Sequence, residues 1–314
     1  MCILLGLTDH PDYSLILISN RDEVYQRKAE RTAVRNLKNT YNNSPARVLC
    51  PVDELSGGTW LGINLDTKVF SIVLNIQELE NNPNDNKQHN KGLLSRGILP
   101  LICLLNDNNN NKNNGNGNSD KLSSKADWLN TYPDIIKTRP FNLVYGDLSR
   151  NKCDLNILSL KSDATHTDTN LTEELKHYKI NSTNDTTFVI TNNKYSENIK
   201  DWPKIKLGQD ALDELRNTKT DNIIEKCYEI ATRTTLPDHR NILTSKECKA
   251  LVRNSIFIPP LKVKNEDDPT IIDYGTRTTI VITVSRKTGD ITYVERDNVE
   301  KNNADLIFTE STYQ

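Results

Sequence analysis

Cys2 is followed directly by a short apolar run, Ile3 to Leu7. Removal of Met1 would leave this cysteine with a free α-amine beside its thiol, on a predicted β-strand. An α-amine titrates near pH 8, about 7.7–8.0, so a fraction of it, about a tenth, is neutral at pH 7 and can accept a proton. A thiol paired with its own terminal amine is a nucleophile with a built-in base. Position alone fits a plainer role better, that of a small buried residue in the first strand. Four further groups of residues bear on the choice. Asn20-Arg21-Asp22-Glu23 closes the second apolar run, where Arg21 or Asp22 could orient the amine and a cation could lower the thiol pKa. Gly57-Gly58-Thr59-Trp60-Leu61-Gly62 places three glycines around a tryptophan, which implies close backbone approach. That loop lacks Gly-Lys-Ser/Thr and enters a strand, so it is not a phosphate-binding loop. Asn75 and Asn192 each stand at the end of an apolar run, and two such amides could hold an oxyanion. Arg277, within Tyr274 to Thr279, stands where a strand is predicted to begin, with a surface salt bridge as the plain alternative.

The elements that would position these groups are read from period and punctuation. Ile3–Leu7 and Ser14–Ser19 flank Asp9-His10-Pro11-Asp12, a strand–turn–strand. A basic, irregular stretch then runs to about Pro51. The glycine-rich loop leads into a second hairpin whose partner, Val69 to Leu74, is nearly continuous in apolar residues, as a strand buried on both faces should be. Gly92 to Leu105 has helical period, with a kink or break expected at Pro100. Lys121 to Leu129, Ala211 to Leu215 and Ile223 to Ile230 also read as helices. Phe141–Tyr145, Asp154–Leu160, Thr187–Thr191, Thr279–Val284 and Ile291–Val294 read as strands. Strands at both ends with helices between them predict an α+β fold of antiparallel sheets with helices on their outer faces.

The chain has 314 residues and a mean hydropathy of −0.63. Two Asn-rich tracts, near 81–91 and 106–120, depress that average. They read as loop inserts in a single domain spanning 1–314, since long surface insertions cost little closure entropy. Net charge is −2, with no basic stripe, which argues against nucleic acid as a partner. No apolar run is long enough to span a bilayer, and the N-terminus has no basic region ahead of its apolar stretch, so a cytoplasmic protein is expected. Six scattered cysteines without a C-x-x-C pair fit reduced thiols, and no histidine spacing predicts a metal site.

Met1-Cys2-Ile3, the Asn20–Glu23 tetrad, Gly57 to Ile63, Phe141-Asn142-Leu143 and Tyr274 to Thr278 stand in the order and approximate spacing of the NRDE family. The chain resembles that family over nearly its whole length outside the Asn-rich tracts. Animal members are called transport and Golgi organisation proteins. The resemblance links them to Golgi organisation, protein secretion, haem trafficking, and acyl-CoA or lipid metabolism. The family in turn resembles cysteine N-terminal nucleophile hydrolases, whose fold is a four-layer αββα sandwich. That resemblance implies Cys2 as nucleophile, Asp22 orienting the α-amine, Asn75 and Asn192 holding the oxyanion, and Arg277 supporting them. Asn20, Arg21 and Trp60 are the candidate binding residues. The implied substrate is a non-peptide amide or thioester. The alternative is a non-catalytic protein that carries haem or an acyl ligand in the same pocket, with no resident cofactor. Association with Golgi or mitochondria follows from the same resemblance.

Overall fold

The computed structural model describes residues 2–38, 43–77, 93–106, 122–148, 155–161, 171–180, 185–195, 202–237, 241–264, 270–300 and 304–310. The Asn-rich tracts lie outside these residues, apart from Asn106, as does Cys153.

The chain opens with β1 (Ile3–Leu7) and β2 (Tyr13–Val24), then β3 (Ala29–Lys38), β4 (Pro45–Asp53), β5 (Leu61–Asn64) and β6 (Val69–Asn75). Helices α1 (Ile98–Leu105) and α2 (Lys125–Thr131) precede β7 (Phe141–Asp147) and β8 (Leu155–Leu160). A short α3 (Leu171–Glu174), β9 (Leu175–Ile180) and β10 (Thr187–Thr191) follow. Helices α4 (Pro203–Leu215), α5 (Ile223–Ala231) and α6 (Ser245–Leu251) lead to β11 (Leu261–Lys264), β12 (Ile271–Ser285), β13 (Ile291–Asp297) and β14 (Leu306–Thr309).

These strands form two antiparallel sheets, and the fold is mixed α+β. One sheet runs β10-β1-β2-β12-β13-β14, with β11 added to β12. The other runs β3 to β9 in sequence order. Strand alternation sorts the faces. On β2, Leu15 and Leu17 enter a cluster shared with Leu49, Ile63, Phe70 and Ile72 of the opposite sheet. Ile16 and Ile18 point the other way, against Leu212 and Leu215 of α4 and Cys227 and Ile230 of α5. In the second sheet, Leu143 and Leu158 meet Leu99 and Cys103 of α1 and Trp128 of α2. Strands covered on both faces need apolar residues at successive positions, which accounts for the continuous or nearly continuous runs in β1, β2 and β6.

Several expectations are corrected. The basic stretch before Pro51 is not irregular; it forms β3 and most of β4. As an edge strand with mostly exposed or half-exposed residues, β3 carries no hydrophobic period to read. The first predicted helix begins at Ile98, because Leu94 pairs instead with Thr138 in a β-bridge. Pro100 then falls in the first turn, where its missing N–H costs nothing and no kink results. The helix predicted from Ala211 starts at Pro203. Strand β12 begins at Ile271, so Arg277 lies within it, at a register shift between Thr276 and Thr278, and not at its start. Among the described residues, no helix is long and apolar enough to cross a membrane.

Candidate active site

Strand β1 lies between β2 and β10, which puts Cys2 just before Ile3, itself paired with Asn20 and Thr191. The Cys2 backbone N–H donates to Asn192 Oδ1, and Asn192 Nδ2 donates to the Asn75 carbonyl. These two bonds fix the orientation of the Asn192 amide, since its oxygen must face an N–H and its nitrogen a carbonyl. Asn192 itself is clamped from the opposite sheet. Gln77 N–H donates to its carbonyl at 2.8 Å. Fully buried Asn142, on β7, donates to the carbonyls on either side of it, Thr191 at 3.1 Å and Asn193 at 2.7 Å. Ser159 completes the lock by donating to Asn142 Oδ1 at 2.8 Å. The Phe141-Asn142-Leu143 motif thus joins the two sheets at the site.

Cys2 opens onto a cavity of about 460 Å³. Of the eight candidate residues, Cys2, Arg21, Asp22, Trp60, Asn75 and Asn192 line it, and Asn20 and Arg277 do not. Fully buried Asn20 donates to the Ala231 carbonyl at 2.8 Å and the Ile256 carbonyl at 3.0 Å, and accepts from Thr279 at 2.8 Å. Its place is to tie β2 to α5 and to β12. Arg277 donates to the Tyr25 carbonyl, just past the end of β2. Asn75 contributes its backbone carbonyl to the Asn192 contact, and the residue is exposed and lines the cavity.

Alternation along β2 separates Arg21 from its neighbours. Arg21 points between the sheets, with its guanidinium 4.4 Å from the centre of the Trp60 ring and Nη2 donating to Asp53 at 3.1 Å. Asp53 also binds Arg27 at 2.8 Å. Burial would raise the Asp53 carboxyl, but the bonds and charges of Arg27, the Ser56 N–H and Arg21 together hold it below the ordinary range. Asp22 accepts from Thr276 at 2.6 Å, and Thr276 accepts from the Ile258 N–H at 2.8 Å. Burial pushes the Asp22 carboxyl up, opposed in part by the Lys204 charge and the Thr276 bond. Burial likewise pushes the Cys2 thiol up, with the Asp22 charge adding to it and Arg21 opposing. At neutral pH the thiol is therefore protonated and requires a base to become a nucleophile.

The glycine loop closes against another part of the chain. A Cβ on Gly58 would stand 2.7 Å from the Gly97 backbone, and the Thr59 N–H donates to the Gly97 carbonyl at 3.1 Å. Gly57 adopts a φ of +68°, which L side chains rarely take. The close approach predicted for this loop is thus backbone on backbone, and it builds one wall of the cavity.

Lys204 was not among the sequence candidates. It is 0% exposed in the first turn of α4, its amine has no hydrogen-bond partner among the described residues, and its charge acts on Asp22 and Cys2. Burial pulls its pKa down. Asp53, Arg27, Arg96 and Arg139 are further cavity residues that the sequence did not single out. Asp53 carried the only readable cue, an acid placed just ahead of the glycine loop.

A sequence profile of the family described as Transport and Golgi organisation 2 matches residues 1–300. The uncharacterised protein YGR127W of Saccharomyces cerevisiae is 31% identical over 319 residues, covering 94% of this chain and 91% of its own length. The motifs brought together around Cys2 therefore sit in a chain matched almost from end to end, and the chain belongs to the Transport and Golgi organisation 2 family.

Proposed function

We propose that the cavity hosts acyl transfer with Cys2 as nucleophile, on a four-layer αββα frame of the N-terminal nucleophile hydrolase type. The Golgi- and transport-related role carried in the family name is the setting for that chemistry. One observation carries the reading: the Cys2 nitrogen, Asn192 and Asn75 form a hydrogen-bonded chain in the cavity that Arg21 and Asp22 also line. With Met1 removed, that nitrogen becomes an α-amine adjacent to the thiol, which supplies the base the buried thiol needs.

The steps follow from those positions. Sγ attacks the carbonyl carbon of an amide or thioester, and its proton passes to the α-amine. The carbonyl oxygen becomes an oxyanion, met by the second N–H of Asn192 Nδ2 and by the Asn75 amide. Collapse expels the amine or thiol, which leaves with the proton from the α-ammonium, and an acyl-Cys2 thioester remains. Water then adds to that thioester while the α-amine takes a proton from it. Breakdown of the second intermediate releases the carboxylic acid and restores the Cys2 thiol. Asp22 holds the α-amine in place throughout.

Intact mass of the native protein, before and after a thiol-reactive acyl probe, tests this. The expected result is a chain lacking Met1 with one acyl adduct at Cys2 and none on the five other cysteines. Asn192→Ala should slow adduct formation by roughly 10²–10³, the usual effect of losing one oxyanion donor. Equal turnover in Cys2→Ala, or retention of Met1 in the native protein, sinks the proposal.

A further inference from the structure

The cavity at Cys2 carries charge that acyl transfer does not use. Four arginines line it, Arg21, Arg27, Arg96 and Arg139, with three acids, Asp22, Glu23 and Asp53. The acids are already matched. Asp53 holds Arg21 and Arg27. Glu23 stands 3.7 Å from Arg27 and 3.9 Å from Arg21. Asp22 is bonded by Thr276 and faces the charge of Lys204. Arg139, by contrast, is exposed at the cavity wall and makes no ion pair or hydrogen bond with any described residue. Arg96 beside it donates one N–H to the Pro140 carbonyl at 3.0 Å. Deeper in, Arg21 is 5% exposed and, among the described residues, its Nη1 has no acceptor, nor has Trp60 Nε1, on the ring against which Arg21 stacks. Buried donors are stable only when something accepts from them, so this pair points to a ligand. The rim adds apolar surface: Leu93, Leu94 and Leu55, the last 79% exposed.

We propose that the ligand of this cavity bears a single carboxylate, recognised by the arginine wall, with an apolar portion against Leu55, Leu93 and Leu94. Taken with the acyl-transfer reading, on which this part rests, the substrate is an amide or thioester carrying one carboxylate. A guanidinium with unused N–H donors suits a carboxylate or a phosphate, and the charge of the wall favours the carboxylate. The acids in the same wall repel a second negative charge.

The test uses the full chain as Cys2→Ala, so binding is read without turnover. Titration calorimetry at low salt compares N-butylsuccinamate with its neutral counterpart, N-butylsuccinamide. The carboxylate should bind at least tenfold more tightly. Arg139→Gln, on an exposed side chain, and Arg21→Lys should each cut that preference threefold or more. Trp60→Phe, which keeps an aromatic ring and removes the indole N–H, should also weaken the carboxylate selectively. Equal affinity for the two probes overturns the inference, as does a preference that neither arginine variant changes. Displacement of the carboxylate probe by an equal concentration of inorganic phosphate overturns the choice of a single charge. Since Cys2→Ala performs no chemistry, failure of this preference is distinct from failure of acyl transfer, which is read in the wild-type protein with a neutral thioester.

Discussion

Asp53 is the hinge of the cavity's charge. It neutralises two arginines and stays ionised because of them. Its folded pKa is depressed, so its contribution to stability is present above the unfolded value of about 3.9 and is lost as pH falls through the folded value. Urea midpoints between pH 3 and pH 7 should therefore fall at the acid end for the wild-type protein, and Asp53→Asn should remove that part of the slope. A variant whose acid slope matches wild type would show that the clasp contributes nothing. Cys2, Arg21, Asp22 and Asn192 could be picked out as residues that share one cavity, because each is a polar or reactive residue at the end of an apolar strand, where a polar group needs a reason. Lys204 was not legible. A lysine in the first turn of an amphipathic helix reads as solvent-facing, and its burial depends on how α4 packs over β1 and β10. Asn20 misled for the opposite reason: a buried asparagine serves a strand–helix tie as readily as a binding site, and the sequence does not distinguish the two.

The loop between β4 and β5 shows why local readings fell short at particular elements. Its glycines were visible, but their partner, Gly97, lies outside any regular strand and far along the chain. Gly58→Ala would drive a Cβ into the Gly97 backbone at 2.7 Å, and backbone cannot swing aside as a side chain can. Overpacking of this kind costs about 1–3 kcal/mol, so a thermal melt should place Gly58→Ala clearly below wild type. Gly97→Ala, whose nearest contact is 3.2 Å, should lose less. Equal melting of the two variants would contradict this contact geometry. Strands β6, β7 and β10 were readable as mostly apolar runs, interrupted at Ser71 in β6 and Asn142 in β7. Strand β9 and edge strand β3 were not, because half-exposed strands dilute the pattern with charge.

The molecule is held together where its two sheets face one another, and Phe70 of β6 lies in that cluster, fully buried. Phe70→Ala should cost about 3–5 kcal/mol, in the range for large-to-small changes at well-packed sites, read as a shifted urea midpoint with unchanged slope. The α+β class followed from element order, but which strands join which sheet did not. The pairings that define the first sheet join residues about 190 and 260 positions apart, such as Ile3 with Thr191 and Asn20 with Thr279, and nothing local encodes them. The chain lays down β1 and β2, leaves to build the whole of the second sheet, and returns with β10 and β12. A ribosome adding about 5–20 residues per second needs roughly ten to thirty seconds to pass from Val24 to Thr187. Throughout that interval the first hairpin has neither of its flanking strands, and its N-terminus is accessible. Any aminopeptidase that trims Met1 has this window in which to act, before β10 closes over the cysteine it exposes.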